Sequence, residues 1–415
     1  MGAQPSPAPM ENQPLAGFAP DHAEFYLGDP DVAFAHLRSH DPVHWYEPGQ
    51  FWCLTRQAEI RAVSRTPAVF SSAHGLQMWQ IPGVLAGGPA SSAGVDAVTI
   101  LDMDPPEHIR HRRLVMSVFK PGFIRSLEPR VREIAHATLD QVDPRGPVDF
   151  VDGIAMPVPM LVIAELIGVP GRDLADFRRW SDSIIEAGGG AGMTDQVMQD
   201  LAELFGYFSE SLAAHRRSPR HDIISLLLDA EIDGERLDEG EILMFLMTLL
   251  VAGNETTRNL IAGAGLALAE HPDQRAWLAA DLERLPNAVE EMLRWVTPTR
   301  SFIRRAVADT SLAGHPIAAG EYVVLFYGSG NRDEEVFGTT SGHFDVARPD
   351  ANRHLAFGFA EHLCIGAALA RLEARVLFEE LLRRWPTWEV AGEVVPLESC
   401  LINGLVSLPV RLERA

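Results

Sequence analysis

Helical periodicity governs this chain from Pro106 onward, and its longest run, Asp238–Glu270, constrains the fold more than any other feature. Apolar spacing predicts further helices at Pro106–Phe119, Gly122–Gln141, Val158–Gly168, Asp173–Glu186, Thr194–Arg217, Ile223–Asp229, Pro272–Asp281, Pro286–Trp295 and about Ile365–Arg384. Before Pro106, helices are predicted at Asp31–Ser39 and Arg56–Ser64. Between them Val43–Tyr46 and Phe51–Leu54 alternate as strands across the turn Glu47-Pro48-Gly49-Gln50. The Gly/Ala/Ser-rich stretch Ser71–Asp102 reads as a long functional loop, and Gly188–Gly192 as a mobile connection. After Trp295 come strands Phe302–Ala306 and Tyr322–Phe326, and a hairpin near Asn403-Gly404 closes the chain. There is no repeat and no clean linker. The expected class is mainly α with a small β region: one domain over 18–415 after a Pro/Ala/Gln-rich lead-in, 1–17.

Composition narrows the function. A formal charge of −22, from 35 basic and 57 acidic residues, argues against nucleic acid as a partner, because phosphate binding needs a basic stripe. The most apolar run, Ile242–Ala252, is far shorter than the roughly 20 residues of a membrane span, so a soluble protein is expected. The 3 cysteines, Cys53, Cys364 and Cys400, form no C-x-x-C pair and no disulfide framework. A reducing cytoplasm suits them, and structural zinc does not.

Cys364 stands where an irregular loop meets the start of a helix. Backbone N–H groups and the helix dipole there favour a thiolate, and nearby glycines admit a flat ring. A lone cysteine is usually a small buried hydrophobe. Its flanks change that reading: Phe357-Gly358-x-x-x-His362-x-Cys364-x-Gly366 resembles the haem-binding signature of the cytochrome P450 family. The resemblance implies a triangular helical prism enclosing haem b, with Cys364 ligating the iron and Phe357 and Gly366 against the ring. The family normally has Gly at position 360, where this chain has Ala360, so an added methyl is expected to disturb the loop near His362.

Three more segments agree in order along the chain. Glu291-Met292-Leu293-Arg294 matches the family's E-x-x-R, a pair whose i,i+3 spacing lets it brace the loop before the cysteine. His108 and Arg112, four apart on one helix, resemble the His-x-x-x-Arg that faces a haem propionate. Arg304 aligns best with the family's propionate-binding strand arginine. Arg305 competes, because strand neighbours alternate faces. His362 is the third expected propionate partner.

The long helix carries Ala252-Gly253-Asn254-Glu255-Thr256-Thr257. A Gly inside a helix costs about 1 kcal/mol, and such local rule-breaking tends to mark function. By resemblance, Ala252 and Gly253 open a groove for dioxygen, Thr256 positions the protons that O–O cleavage requires, and Glu255 relays them from solvent. The alternative is a core helix whose Thr bonds back to its own carbonyl.

The same resemblance walls a substrate pocket with Met244, Thr248, Val251, Ala252, Thr299 and Ile402. These are mostly apolar, which favours a steroid, terpenoid, fatty acid or polyketide. The Thr248 hydroxyl either orients a polar substrate group or bonds back to its helix. No flavin or iron–sulfur motif is present, so ferredoxin and ferredoxin reductase are implied as electron donors. Arg110, Arg112, Arg113, Arg371 and Arg375 either form a basic face for that partner or serve propionates and internal pairs. A peroxide-using or rearranging relative, or a haem sensor, is the alternative function.

Overall fold

The computed structural model describes residues 15, 17–85, 99–186, 194–220 and 222–413. Most of the lead-in, Gly188–Gly192 and the 86–98 portion of the long loop lie outside the described residues.

Helices dominate. Those that position the site are α1 (Pro30–His40), α2 (Gln57–Ser64), α3 (Glu107–Val118), α4 (Glu128–Asp140), α5 (Pro157–Ile167), α6 (Leu174–Glu186), α7 (Asp195–Arg217), α8 (Glu239–Glu270), α9 (Leu285–Val296) and α10 (Ala367–Arg384). One predicted helix, Gly122–Gln141, is two: Pro121–Ser126 and α4, which part at Leu127. Pro129 in the first turn of α4 explains the break, since proline lacks the N–H that a continuous helix needs. The stretch expected to be wholly irregular contains short helical turns at Met78–Gln80, Pro82–Leu85 and Ile100–Asp102. The Gln80 side chain holds the first of them, accepting from Leu76 N and Gln77 N at 2.8 and 2.9 Å.

A capping box starts α8: Asp238 accepts from Glu241 N at 2.8 Å, and Glu241 returns the bond to Asp238 N at 2.7 Å. Where α8 crosses α5, a Cβ on Gly253 would stand 2.7 Å from Ile163 Cδ1. Gly253 thus leaves room for the Ile163 side chain, which a larger residue would have to displace.

The main sheet has strands β1 (Val43–Tyr46), β2 (Phe51–Leu54), β3 (Phe70–Ser71), β4 (Ser301–Ala306) and β5 (Tyr322–Phe326), in the order β1-β2-β5-β4-β3. β5 runs parallel to β2 and antiparallel to β4. Alternation along β4 buries Arg304, while Arg305 turns outward, its Nε donating to Gly320 O at 3.3 Å. At the chain's end Val395–Pro396 pairs with Leu405–Ser407, leaving Asn403-Gly404 in the connecting loop. No described helix is long and apolar enough to cross a membrane.

Glu291 and Arg294 on α9 are fully buried and pair through two bonds, Nε–Oε2 at 2.7 Å and Nη2–Oε1 at 2.8 Å. The guanidinium also donates to the carbonyls of Asn331, Ser341 and His343, and Glu291 accepts from Asp345 N. Arg348 Nε lies 3.2 Å from Glu291. One ion pair thus ties the whole 331–348 meander to α9, and that segment leads into the cysteine loop.

Candidate functional site

The loop before α10 folds back on itself: Cys364 N donates to Phe357 O at 2.9 Å and Leu363 N to Ala360 O at 3.1 Å. The Phe359 ring lies under the guanidinium carbons of Arg61 and Arg65, at 4.4 and 4.8 Å, which pins the loop to α2. Arg371 stacks likewise on Phe357 at 4.5 Å. Gly358 and Ala360 both have positive φ, +71° and +57°. The departure at position 360 therefore places an L side chain in the left-handed region, which costs about 1–2 kcal/mol. An Ala360→Gly variant should be about 0.5–1 kcal/mol more stable, after the extra freedom glycine has in the unfolded chain, as read from the urea midpoint.

The Cys364 sulfur opens on an interior cavity with about 1450 Å³ of empty space, mouth included. The cavity also touches His108, Arg112, Ala252, Gly253, Thr256, Arg304, Phe357, His362 and Gly366, so helices α3, α8 and α10, strand β4 and the cysteine loop converge on it. The surrounding protein pushes the thiol above its ordinary range, outweighing the Gly366 and Ala367 N–H groups and the Arg112 and Arg371 charges, although the residue is exposed to the cavity. This differs from the sequence expectation. The helix start alone does not make a thiolate here; a cationic centre against the sulfur is needed.

His108 and His362 lie ring to ring at 4.2 Å. Burial, with Arg112 beside it, lowers His108 to about 4. Burial, with Arg304, His108 and Arg112 nearby, lowers His362 to about 3. Both rings are therefore neutral near pH 7 and can donate one N–H each. His362 Nε2 is 3.1 Å from Ser72 Oγ, and Asp104 anchors that turn by accepting from Ser71 Oγ and Ser72 N. The sequence reading missed Ser72 and Asp104, whose only signal was their flanking of the long loop.

Two features of this cluster are incomplete without a ligand. His108 Nδ1 is buried with no hydrogen-bond partner among the described residues. Arg304 is 5% exposed, forms no ion pair among the described residues, and has its pKa lowered by burial. A dianionic group presented to His108, Arg112, Arg304 and His362 would satisfy both. The donor set, beside an open sulfur, fits haem b.

On the opposite wall, Thr256 Oγ1 donates to Ala252 O at 2.7 Å, the back-bonded arrangement. Glu255 is buried, and its Oε1 accepts from Arg258 and Asn259 at 2.7 and 2.8 Å. Its Oε2 is sealed without a partner. Thr248 and Thr299 line the cavity, with the Thr248 hydroxyl bonded to Met244 O at 2.8 Å. Met244, Val251 and Ile402, expected in this wall, are not part of it among the described residues. Met244 turns toward a neighbouring chamber, and Ile402 is held back by its bridge to Thr299 and by accepting from Arg300 Nε. Glu373 was also missed: it lines the cavity, is 1% exposed, and burial raises its pKa well above the ordinary carboxylate range.

The expected basic face is a row of ion pairs. Arg110 meets Glu235 and Glu241, Arg113 meets Asp233, Arg371 meets Glu290, and Arg375 meets Glu128. With 57 acids to 35 bases, most arginines find a carboxylate. Arg112 differs, donating to Leu363 O beside the cysteine.

The family model for cytochrome P450 matches residues 191–412. A putative cytochrome P450 126 of Mycobacterium tuberculosis is 41% identical over 409 residues, covering 94% of this chain and 96% of that one. A methyl-branched lipid omega-hydroxylase of the same species is 36% identical, covering 97% of this chain and 96% of that one. The crystal structure of CYP109E1 from Bacillus megaterium in complex with testosterone superposes with a TM-score of 0.83 at 33% identity, covering 93% and 100% of the two chains. The chain belongs to the cytochrome P450 family, a haem-thiolate monooxygenase whose cofactor is haem b.

Proposed function

We propose that this enzyme hydroxylates an apolar small molecule, of the steroid, terpenoid, fatty-acid or polyketide type, in the cavity above Cys364. The observation that carries this reading is the wall facing the sulfur, where Ile163, Phe245, Leu249 and Leu260 present hydrocarbon and the Thr248 hydroxyl is already engaged. The lipid hydroxylase and the testosterone-bound relative support the same class. The direct check is a spin-state titration of the haem-loaded protein with testosterone, a terpene and a small charged control. Shifts with the apolar compounds are expected; a response to the charged control alone would refute the proposal.

When bound, haem b supplies the iron that activates dioxygen. Cys364 would ligate that iron, and His108, Arg112, Arg304 and His362 would hold the propionates. Phe357 and Gly366 would lie on the sulfur side of the ring, Ala252 and Gly253 on the other. Thr256 Oγ1, which donates to Ala252 O, would position protons on the substrate side by accepting through its free lone pairs or by releasing that bond. Glu255, buried but tethered to half-buried Arg258, would carry protons inward by exchanging that contact for the cavity. Glu255→Gln should therefore lower turnover by about 100-fold, with the substrate titration unchanged. Turnover within a factor of three of wild type would remove Glu255 from the route.

Electrons would come from a ferredoxin and its reductase, in keeping with the absence of a flavin or iron–sulfur motif. Cytoplasmic residence suits the free Cys53, Cys364 and Cys400.

A further inference from the structure

Beside the haem cavity lies a second chamber, partly open to solvent, with about 830 Å³ of empty space by the same measure, mouth included. Even its closely bounded part, about 340 Å³, is far larger than an ordinary packing void. Two residues belong to both walls, Ile100 and Phe245, each 8% exposed. Phe119, which lines the haem cavity, holds the Phe245 ring edge-to-face at 6.0 Å and 75°. The partition between the two spaces is thus little more than two side chains thick.

We infer that this chamber receives the far end of an elongated apolar substrate whose reacting end lies over Cys364, with Ile100 and Phe245 as the partition it passes. The inference rests on the monooxygenase reading above. Met103, Leu237 and Met244 give the chamber a hydrocarbon wall, and the two thioether side chains adapt to the shape of an occupant. Its polar corner is acidic. Glu241 accepts from Arg110 Nη1 at 2.7 Å and from Asp238 N, and lies 2.9 Å from His111 Nε2. The Asp238 and Glu241 carboxylates at this corner repel an anionic head group. The chamber takes an uncharged chain end.

N-alkylimidazoles test this on the haem-loaded enzyme, because the imidazole nitrogen anchors one end at the iron and the Soret shift reports affinity. Each buried methylene adds about fourfold. Affinity should keep rising from ethyl to dodecyl in the wild type, and a terminal carboxylate on the long chain should cancel the gain. Met244→Trp, and independently Leu237→Trp, should weaken dodecylimidazole at least tenfold and leave ethylimidazole unchanged. Phe245→Ala should strengthen the long chain. Unchanged dodecyl affinity in both tryptophan variants, or equal losses for ethyl and dodecyl, would overturn the inference. Failure of ethylimidazole to shift the wild-type Soret band would instead contradict the haem reading itself.

Discussion

Arg294→Ala should lose about 3–5 kcal/mol of stability, a large part of the 5–15 kcal/mol a protein of this kind has. The effect is large because the substitution does two things at once. It leaves the Glu291 carboxylate buried without its main partner, and it removes donors from three carbonyls of the meander. Burying a charge unpaired costs more than the pair itself contributes. Lysine is no substitute, since a point charge cannot reproduce a fork that reaches Glu291 and three carbonyls together. Arg294→Lys should therefore fall nearer to alanine than to wild type. Urea unfolding with haem-loading yield measures both, and a loss under 1 kcal/mol would show that the pair does not brace the loop.

Arg304→Met should split the stability of the two forms. The guanidinium is buried with no ion-pair partner among the described residues, and its pKa is lowered by burial, so the apoprotein bears the cost of an uncompensated charge. A methionine of similar reach removes that cost, and the apoprotein should be as stable as wild type or more so. The haem-loaded form should suffer. A charge-assisted hydrogen bond to an anion is worth about 1.5–3 kcal/mol, which corresponds to roughly 10–100-fold faster haem loss. Haem transfer to an acceptor globin, set beside apoprotein unfolding, distinguishes this from simple damage. Parallel losses in both forms would mean Arg304 is structural.

Much of this architecture is legible in the sequence because it is local. Strands Val43–Tyr46 and Phe51–Leu54, helix Ile223–Asp229 and the long helix α8 follow from apolar periodicity and caps that lie within a few residues of each other. The motif around Cys364 is also contiguous, so its residues could be named before any fold was known. Features that depend on through-space balance were not legible. Which wall Met244 faces depends on where α3 and the Ile100 turn pack, not on its own helical spacing. The fate of the arginines depends on carboxylates more than a hundred residues away, such as Glu235 for Arg110 and Glu128 for Arg375. The Cys364 thiol is similar: the helix start argues for ionisation, the enclosing protein argues against it, and only the folded chain shows how deep the sulfur sits and that it faces a cavity. Position 360 lies between these cases. The sequence showed the departure, but the left-handed backbone that makes alanine costly is visible only in the structure.

The central claim is that Cys364 is the thiolate ligand of a haem iron, and the absorption spectrum of the reduced, CO-bound protein tests it most directly. The wild type should give a strongly red-shifted Soret band, and Cys364→Ala should abolish it. An ordinary histidine-type spectrum in the wild type, or a red-shifted band that survives in the variant, would contradict the account.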